Sequence, residues 1–446
     1  MALTGMAIYK SLPKTNCGDC GFPTCMAFAM QVAAKQKALT DCPHLSDEAK
    51  NEFADSSAPP MKLVRIGAGD AVLEIGQETV MFRHEEKFHK ATGLAVKVAA
   101  SLSDDEAAAR VEAINGAQFT RIGQEIGVAL SAVEIEGMAA DAAAARVTAL
   151  AGKSALPFVL MGSDAAAMEA AAEAIADQKP LIYRATEANA EAMIKVAADT
   201  KCPLAVSAES LEKLADIVND AKDKGVEEMI LSFDGRDTVK TIRALTAARR
   251  AALKKNFKAL GFPAMVDVSV SDEMKETVLA STFVAKYASI IIMEGLDPAE
   301  VLPVLTTIQN IYTDPQVPNT VEPKLYEVGD VNENSPVLFT TNFSLTYFSV
   351  EAEVERSKIP SYICAVDTEG LGVLNAYAGD KISPETVVKA VEASGVGDKV
   401  KHRKLIIPGL LPSFRAEIED SSEWKEVLIG PESATGIPAW LAENWK

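Results

Sequence analysis

The sequence has few cysteines and no surplus of positive charge, and it lacks any long apolar run. Six cysteines in 446 residues are too few for a disulfide framework. Lys and Arg total 44 against 63 for Asp and Glu, a net charge of −19, so binding to nucleic acid is not expected. No apolar stretch approaches the ~20 residues of a membrane-spanning helix, and Met1–Lys10 has no basic region typical of a signal peptide. We therefore expect a cytoplasmic protein, with its thiols reduced and no membrane segment.

What the sequence does contain is typical of a folded, multidomain protein. Apolar residues make up 48% of the chain and charged residues 24%, close to the averages for globular proteins. At ~100 to 200 residues per domain, 446 residues predict two to four domains. Proline-rich stretches, which neither helices nor central strands accept, lie at Asp55–Pro60 and Asp314–Pro323. They predict three domains, at residues 1–57, 58–320 and 321–446.

The middle domain alternates short apolar, β-branched runs with longer segments rich in Ala, Glu and Lys. A hairpin is predicted at Ala71–Arg83, and eight strands follow it. The predicted strands are Leu94–Ala99, Val128–Ile135, Pro157–Met161, Leu181–Arg184, Leu204–Ser207, Met229–Phe233, Ala264–Val268 and Ser289–Met293. Because helical patterns follow the strands, the sequence predicts an α/β fold with a closed (β/α)8 TIM barrel. An open doubly wound sheet is the alternative.

The C-terminal domain repeats this alternation on a smaller scale. Its predicted strands are Val337–Thr341, Tyr362–Val366, Leu405–Ile407 and Val427–Ile429. Its helical patterns are Ser344–Lys358, Leu371–Ala378, Pro384–Ala393 and Ser413–Asp420. The pattern is typical of an open, Rossmann-like α/β sheet, and such sheets bind ligands beyond the carboxyl ends of their strands.

Four of the six cysteines lie close together near the start of the chain. Their spacing is C-x2-C-x4-C-x16-C, and the ligands it predicts are Cys17, Cys20, Cys25 and Cys42. Three near thiolates and one distant thiolate suit a [4Fe-4S] cluster, and a structural zinc site is the alternative. Gly18 and Gly21 would let the loop fold closely over such a cluster. Cys202 and Cys364 lie on or beside predicted strands and are expected to pack in the core.

The residues around these cysteines form a recognisable motif. The run Lys14–Ala29, with Asp41–Pro43 after it, resembles the small [4Fe-4S] domain of the large (gamma) subunits of corrinoid/iron-sulfur proteins of the acetyl-CoA (Wood-Ljungdahl) pathway. In that family a TIM barrel and a C-terminal Rossmann-like corrinoid domain follow, in the order predicted here. The motif also occurs in electron-transfer subunits without a corrinoid, so it indicates the cluster, and the order of the domains indicates the function.

The C-terminal domain has runs similar to the corrinoid-contacting loops of that family. They lie at Thr340–Tyr347 and Asp367–Val373, with later loops at Ile407–Pro412 and Gly430–Ser433, and each begins where a predicted strand ends. The cofactor-binding residues that the resemblance implies are Thr340, Thr346, Gly370, Leu371, Gly372, Val373 and Ser433. A Gly-x-Gly such as Gly370–Gly372 is also common in an ordinary turn from strand to helix.

The histidines carry a further implication for the cofactor. They are His44, His84, His89 and His402, and none lies in the Asp-x-His-x-x-Gly motif through which many corrinoid proteins ligate cobalt. The resemblance therefore implies a base-off, cobalamin-type corrinoid with no protein imidazole as ligand. Withholding an axial donor eases the reduction of Co(II) and keeps Co(I) a strong nucleophile.

The function implied by the resemblance is that of a methyl carrier rather than an autonomous enzyme. Co(I) of the corrinoid accepts a methyl group from methyltetrahydrofolate on a separate methyltransferase and delivers it to acetyl-CoA synthase, while the [4Fe-4S] cluster serves reductive reactivation of Co(II). The implied partners are the small subunit of a heterodimer, the methyltransferase, CO dehydrogenase/acetyl-CoA synthase and a low-potential electron donor. Because one cobalt must meet these partners in turn, the linker Pro315–Pro323 is predicted to be a hinge.

Two other functions remain open. Carboxylates follow predicted barrel strands, where barrel active sites form, although such groups are also common as structural partners. They are Glu134, Glu136, Asp234, Asp267 and Glu294. The barrel is either a module without chemistry of its own, as the resemblance implies, or a pterin-dependent methyltransferase. The second alternative function is that of an iron-sulfur electron-transfer subunit without a corrinoid.

Overall fold

The structure is a computed structural model that describes residues 5–33, 41–46, 59–270 and 272–445. The chain forms two compact units. The first comprises Met1–Met81, His89–Asn115 and Ala129–Val304, and the second comprises Phe82–Phe88, Gly116–Val128 and Leu305–Lys446. The predicted boundary between residues 57 and 58 lies outside the described residues, and the division into three domains stays a prediction.

The first unit begins with two short helices, α1 (Gly5–Ser11) and α2 (Cys25–Ala33). Ile8 of α1 and Phe28 of α2 are buried in a small apolar cluster that also includes Cys25 and Cys42. Two predicted metal ligands are therefore part of the core of this segment.

The long middle of the chain alternates strands and helices. Its strands are β1 (Leu63–Ala68), β2 (Ala71–Gly76), β3 (Gly93–Val98), β4 (Gln118–Arg121), β5 (Gln124–Gly127), β6 (Leu130–Glu134), β7 (Phe158–Met161), β8 (Leu181–Ala185), β9 (Leu204–Val206), β10 (Met229–Asp234), β11 (Ala264–Asp267) and β12 (Ala288–Met293). Its helices are α3 (Asp104–Asn115), α4 (Ala140–Ala151), α5 (Ala165–Ala174), α6 (Ala190–Thr200), α7 (Leu211–Asp223), α8 (Thr238–Lys255), α9 (Glu273–Val284) and α10 (Pro298–Tyr312).

Eight parallel strands, β3 and β6 to β12, form a closed barrel in which β12 pairs with β3. They coincide with the eight predicted strands to within three residues at either end, so the predicted TIM barrel is confirmed and the open sheet is wrong. Strand β12 shows why the prediction succeeds, because all six of its residues are buried. A strand covered on both faces has a continuous apolar sequence rather than an alternating one.

Asp and Ser residues precede several of the barrel helices and cap them. The side chains of Asp164, Ser210 and Asp237 each accept a hydrogen bond from the backbone N–H three residues further on. Such a cap satisfies one of the N–H groups that the first helical turn leaves open. The caps therefore fix where the chain turns from strand to helix.

The hairpin β1–β2 covers the end of the barrel at which the strands begin. Its buried residues Val64 and Ile66 belong to the same apolar cluster as the barrel interior. The backbone N–H of Gly67 donates to the carbonyl of Lys179, just before β8. The predicted hairpin at Ala71–Arg83 is wrong, because β2 pairs with the preceding strand β1. The opposite end, where barrel strands finish, is left available for a site.

The second unit contains the β4–β5 hairpin and the C-terminal sheet. The strands of the sheet are β13 (Leu325–Val328), β14 (Val337–Thr341), β15 (Ser361–Val366), β16 (Lys404–Ile407) and β17 (Glu426–Ile429). The helices are α11 (Ser344–Ser357), α12 (Val373–Ala378), α13 (Pro384–Ala393), α14 (Val396–Lys399), α15 (Phe414–Ser421) and α16 (Ile437–Asn444). Within the described ranges, no helix combines the length and the apolar character that crossing a membrane would require.

The C-terminal sheet has the strand order β13-β15-β14-β16-β17, with β13 antiparallel to β15 and the other neighbours parallel. Apolar clusters cover both faces, one around Phe339 and Ile407 and the other around Leu338 and Ile406. The Rossmann-like prediction is thus confirmed. Strand β15 lies on one side of β14, and β16 lies on the other. The order in which successive strands are added to the sheet therefore reverses between β14 and β16, although the two strands are parallel. Open α/β sheets bind ligands at such a switch point.

Candidate functional site

The four clustered cysteines lie around one loop. Cys17 and Cys20 are in the loop of residues 12–24 between α1 and α2, and Cys25 is the first residue of α2. Within this cysteine loop, Gly18 and Gly21 have φ angles of +84° and +85°. Such backbone angles strain any residue with a side chain, so glycine is needed here for the turn itself.

Asn16 binds the cysteine loop to α2, a role that the sequence did not reveal. Its side-chain Oδ1 accepts the backbone N–H of Cys25 at 2.8 Å, and its own backbone N–H points at the Cys25 sulfur at 3.4 Å. A backbone N–H directed at a ligand sulfur stabilises the reduced state of an iron-sulfur cluster. In the described part of the loop, the backbone N–H of Asn16 makes this contact.

The sulfur atoms differ in their exposure. Cys25 and Cys42 are buried, whereas Cys17 is exposed. Burial raises the pKa of the Cys42 thiol, and the neighbouring thiols of Cys20, Cys25 and Cys17 raise it further. The four sulfurs are therefore close enough to influence one another, and positive charge bound among them would favour their thiolate forms.

The spread of the sulfurs distinguishes between a single ion and a cluster. Within the described part of the chain, the ligand atoms of Cys17, Asp19 and His44 lie within 4.8 Å of one another, while no three of the four cysteine sulfurs come that close. One tetrahedral zinc ion with bonds of ~2.3 Å would hold four sulfurs roughly 3.8 Å apart. The described cysteine sulfurs are therefore not arranged as a single zinc ion would hold them.

A polar pair lies beside Cys17. His44 Nε2 and Asp19 Oδ2 are 2.6 Å apart, and both side chains are about half exposed. Hydrogen bonds from His44 and from the Cys17 thiol hold the pKa of Asp19 below its usual value. The spacing of the cysteines gave no sign of this pair, because His44 approaches Asp19 only when the distant Cys42 returns to the cysteine loop.

A second candidate site opens at the carboxyl edge of the C-terminal sheet. Strands β14 and β16 pair at one register position, Leu338 with Ile406, and beyond it they leave a cavity of about 500 Å³. We call this cavity the strand-end crevice. It is lined by Leu338, Phe339, Thr340, Leu345, Thr346, Ser349, Val350, Gly372, Val373, Leu374, Asn375, Ile406, Ile407, Pro408, Leu410, Gly430, Pro431, Glu432, Ala434 and Ile437. The crevice is mostly apolar and lies at the switch point, where a ligand is expected.

Large apolar side chains are exposed near the crevice. Leu345 and Leu374, which line it, are 48% and 55% exposed, and Tyr377 on the same helix as Leu374 is 48% exposed. Exposed apolar groups of this size usually mark a surface that another molecule covers. The crevice therefore combines a mostly apolar cavity with exposed apolar side chains in and near its lining.

The predicted cofactor residues fall into three groups. Thr340, Thr346, Gly372 and Val373 line the strand-end crevice. Gly370 and Leu371, together with Gly372, line a second cavity of about 400 Å³, which we call the linker pocket. Ser433 is exposed between two crevice residues, and its hydroxyl is 2.9 Å from that of Thr435. Whether each residue contacts a cofactor stays a prediction.

Asn342 organises the loops at this edge of the sheet, and the sequence did not single it out. Its side chain is 3% exposed, and its Oδ1 accepts hydrogen bonds from the backbone N–H groups of Thr368 and Gly370. Its Nδ2 donates to Asp367 at 3.0 Å. One amide therefore joins the loop after β14 to the loop after β15. An Asn after a strand is usually a turn residue, so the sequence alone does not indicate this role.

None of the residues that line the strand-end crevice is a histidine. His402, the histidine in the C-terminal sheet region, hydrogen-bonds the carbonyl of Ser335 at 2.9 Å and stacks edge-on against Trp445. It is thereby engaged in packing. The crevice residues offer apolar surface, hydroxyls and backbone groups, and no imidazole for a metal.

Most of the predicted barrel carboxylates meet at the end of the barrel where strands finish. A polar cavity of about 240 Å³ there is lined by Glu134, Glu136, Asp234 and Asp267, together with Tyr183, Arg184 and Arg236, while Glu294 is not part of its lining. We call it the barrel mouth. Burial raises the pKa of Tyr183 to about 12, so its hydroxyl stays protonated at neutral pH. Asp234 pairs with Arg236, and Glu136 accepts the Ser163 hydroxyl at 2.6 Å.

The sequence matches two known families and relatives of full length. Residues 63–441 match the family described as CO dehydrogenase/acetyl-CoA synthase delta subunit, and residues 12–44 match a family described as an Fe-S cluster. The corrinoid/iron-sulfur protein large subunit of Moorella thermoacetica is 44% identical over 446 residues, which cover 100% of this chain and 99% of that protein. The acetyl-CoA decarbonylase/synthase complex subunit gamma of Methanopyrus kandleri is 37% identical over 458 residues, which cover 99% of this chain and 98% of that protein.

A solved structure is similar to part of the chain. Dihydropteroate synthase from Thermus thermophilus covers 56% of this chain and 98% of its own, with a TM-score of 0.38 and 13% identity. A likeness that weak carries no argument about function.

Proposed function

This chain belongs to the family of corrinoid/iron-sulfur protein large subunits, and from this premise we propose that it is a methyl carrier in acetyl-CoA metabolism. The second unit would hold a corrinoid, whose cobalt would supply the chemistry for accepting a methyl group from methyltetrahydrofolate on a separate methyltransferase and passing it to acetyl-CoA synthase. The observation that carries the proposal is the strand-end crevice at the switch point of the C-terminal sheet.

The crevice and the side chains around it could each bind a different part of a corrinoid. A corrinoid is larger than a drug-sized ligand, so a cavity of about 500 Å³ receives only part of it. The exposed apolar surfaces of Leu345 and Leu374 suit the flat macrocycle, and the mostly apolar lining of the crevice suits the detached lower base. The hydroxyls of Thr340 and Thr346 can hydrogen-bond the polar side groups. Because no histidine lines the crevice, we propose a base-off cofactor without a protein imidazole.

We propose that the cysteine loop holds a [4Fe-4S] cluster bound by Cys17, Cys20, Cys25 and Cys42. The buried Cys25 and Cys42 anchor it in the small apolar core, and the exposed Cys17 brings one corner close to solvent. An exposed corner suits electron exchange with another protein. The proposed role of the cluster is to deliver the electron that reduces inactive Co(II) to Co(I). The cluster would take no part in methyl transfer itself.

The proposed partners follow from the place of the protein between other enzymes. They are a small subunit in a heterodimer, the folate-dependent methyltransferase, CO dehydrogenase/acetyl-CoA synthase and a low-potential electron donor. The archaeal relative is itself named as a subunit of an acetyl-CoA decarbonylase/synthase complex, which supports this placement. We propose the cytoplasm as its location, where cluster thiols stay reduced.

Replacing one cluster ligand tests the division of labour. In a Cys20→Ala variant we expect reductive reactivation of Co(II) to be lost, while methylation of chemically pre-reduced protein proceeds at the rate of the unaltered protein. The measurement is stopped-flow absorbance of the corrinoid with methyltransferase and methyltetrahydrofolate, started from each oxidation state.

The matched control is Cys202→Ala, which removes a buried thiol outside the cluster set. This variant should keep both activities. An equal loss of reactivation and methylation in Cys20→Ala would contradict the separate role of the cluster.

The barrel mouth supports a second candidate function, a pterin-binding methyltransferase barrel. Its polar cavity lies where barrel active sites form, and Asp234 and Asp267 could hydrogen-bond the N–H groups of a pterin ring. Titration of the full chain with methyltetrahydrofolate tests this candidate. The pterin-binding function would be favoured if the chain binds methyltetrahydrofolate, Asp267→Asn weakens that binding and Glu294→Gln leaves it unchanged. If the chain does not bind methyltetrahydrofolate, the barrel has no such function.

A further inference from the structure

The linker pocket lies beside the strand-end crevice, and both belong to the second unit. The two cavities share Leu345, Gly372 and Asn375 as a common wall. The rest of the linker pocket is lined by Arg83, Arg121, Ile122, Gln309, Asn310, Thr313, Asp314, Pro315, Val317, Pro318, Asn319, Phe343, Ser344, Gly370 and Leu371. A ligand that is too large for the crevice could therefore extend past this common wall into the linker pocket.

The linker contacts the loops that form the common wall. The backbone N–H of Ser344 donates to the carbonyl of Asn319 at 2.9 Å, which attaches the linker to the start of α11. A Cβ atom on Gly370 would lie 2.7 Å from Pro318 and from Thr320, so the loop after β15 packs directly on the linker. A ligand that contacts these loops would therefore also affect residues 318–320, which pack against them.

Arg83 brings an unsatisfied donor to the linker pocket. Its terminal NH2 group donates to the carbonyl of Thr313 at 3.0 Å, while its Nε is buried without a hydrogen-bond partner among the described residues. A buried N–H without an acceptor is costly, and a charged one more so. The geometry thus leaves an acceptor missing at this position.

Arg121 adds a second guanidinium to the same pocket. One of its NH groups donates to the side chain of Gln309, and a guanidinium has five N–H donors in all. The charge of the pair is partly offset by Asp314, and the remaining walls combine amide side chains with apolar ones. This mixture suits a ligand edge that carries neutral amides and methyl groups better than it suits a highly charged anion.

We propose that the linker pocket is the second part of the corrinoid site, in which Arg83 and Arg121 bind amide side chains at one edge of the macrocycle. The proposal rests on the proposed function, since it takes the crevice to hold the same ligand. The corrin periphery carries methyl groups and acetamide and propionamide chains, and amide oxygens accept strong hydrogen bonds from guanidinium groups. Because residues of the linker line this pocket, binding of the cofactor there would order the linker that is predicted to be the hinge.

Hydrogen exchange and binding measured on the full chain test this inference. Corrinoid addition should slow amide exchange in peptides covering residues 313–320. Arg83→Met and Arg121→Met should each weaken binding roughly tenfold or more and reduce that protection. The control is Arg415→Met, because Arg415 pairs with Glu419 on an exposed helix face and lines neither cavity.

Two probes separate the amide edge from the nucleotide loop of the cofactor. Cobalamin carries the phosphate and lower base, whereas dicyanocobinamide lacks both and keeps six of the seven amide side chains unmodified. Equal weakening of both probes by the arginine variants supports amide recognition. Weakening of cobalamin alone would assign the arginines to the phosphate and overturn the proposal.

The failure of this inference can be told apart from failure of the proposed function. If the unaltered protein binds cobalamin while the exchange of residues 313–320 and the affinities of the arginine variants stay unchanged, the linker pocket is not part of the site and the methyl-carrier proposal stands. If the unaltered protein binds neither probe, the proposed function itself is contradicted.

Discussion

At the residue scale, the side chain of Asn342 holds the loop after β15 in place. Its amide oxygen accepts hydrogen bonds from the Thr368 backbone and hydroxyl and from the Gly370 backbone, at 3.0, 3.1 and 3.2 Å. The loop that it holds carries Gly370, Leu371 and Gly372, all predicted to contact the cofactor. The shape of the common wall between the two cavities therefore depends on a residue that lines neither of them.

Replacing Asn342 by Ala should destabilise the second unit by roughly 2–4 kcal/mol, because several buried donors lose their acceptor. Denaturant unfolding followed by fluorescence measures this change. Asn334→Ala is the control, since its side chain is exposed, and its unfolding midpoint should not move. A midpoint for Asn342→Ala equal to that of the control would show that the hydrogen bonds of Asn342 are dispensable.

At the scale of elements, burial determined what the sequence could predict. The barrel strands and strands β14, β15 and β16 were predicted because they are covered on both faces and so are continuously apolar. Strand β17 is less buried, and it was predicted from its apolar run Val427–Ile429. The β4–β5 hairpin was missed because its strands are short and largely exposed. Its turn places Ile122 and Gly123 at φ +52° and +66°, where Asn-Gly is the usual signal.

The same reasoning applies to the candidate site. The four cysteines and the loops after β14 and β15 were identified because motifs and strand ends are local features of the sequence. Arg83 and Arg121 were not, because they lie more than two hundred residues before those loops and reach them only through the fold. Edge strand β13 was missed as well, since Glu327 interrupts its apolar residues, whereas β17 has three consecutive apolar residues.

The hairpin β1–β2 is an element whose contribution to stability can be measured. Ile66 is fully buried in the cluster that includes the barrel interior, whereas Val72 on the partner strand is 40% exposed. Ile66→Ala should lower the free energy of unfolding by about 2–5 kcal/mol, since it leaves a cavity. Val72→Ala should change it by less than about 0.5 kcal/mol. Equal effects in calorimetry would mean that the hairpin does not seal the barrel core.

At the scale of the whole molecule, the parts differ in what stabilises them. In the described residues, the core of the N-terminal segment consists of eight buried apolar residues, two of which are cysteines of the cluster set. A core that small stabilises little by itself, so a bound metal must contribute much of the fold. The barrel and the C-terminal sheet have extensive apolar cores of their own. The net charge of −19 would suit the proposed carrier, which has to meet several proteins without adhering to any of them.

Iron removal should therefore affect one part of the chain and spare the rest. After anaerobic treatment with a chelator, amides of residues 5–33 and 41–46 should exchange much faster, while those of the barrel and the C-terminal sheet keep their protection. Hydrogen exchange with mass spectrometry reports each region in one experiment. Unchanged exchange in the N-terminal segment would mean that the cluster is not needed for its fold.

The absorption spectrum of the full chain, prepared anaerobically, incubated with cobalamin and freed of excess ligand, shows whether one chain carries both cofactors. We expect iron-sulfur absorbance together with base-off corrinoid bands in near equal amount. We also expect Gly372→Leu to keep the iron-sulfur absorbance and lose the corrinoid bands, because Gly372 lines both cavities and has a φ of −69° that any residue adopts. Gly152→Leu, at an exposed helix end with φ −67°, should keep both. Iron-sulfur absorbance without corrinoid bands in the unaltered protein would rule out the methyl-carrier role and indicate an electron-transfer subunit.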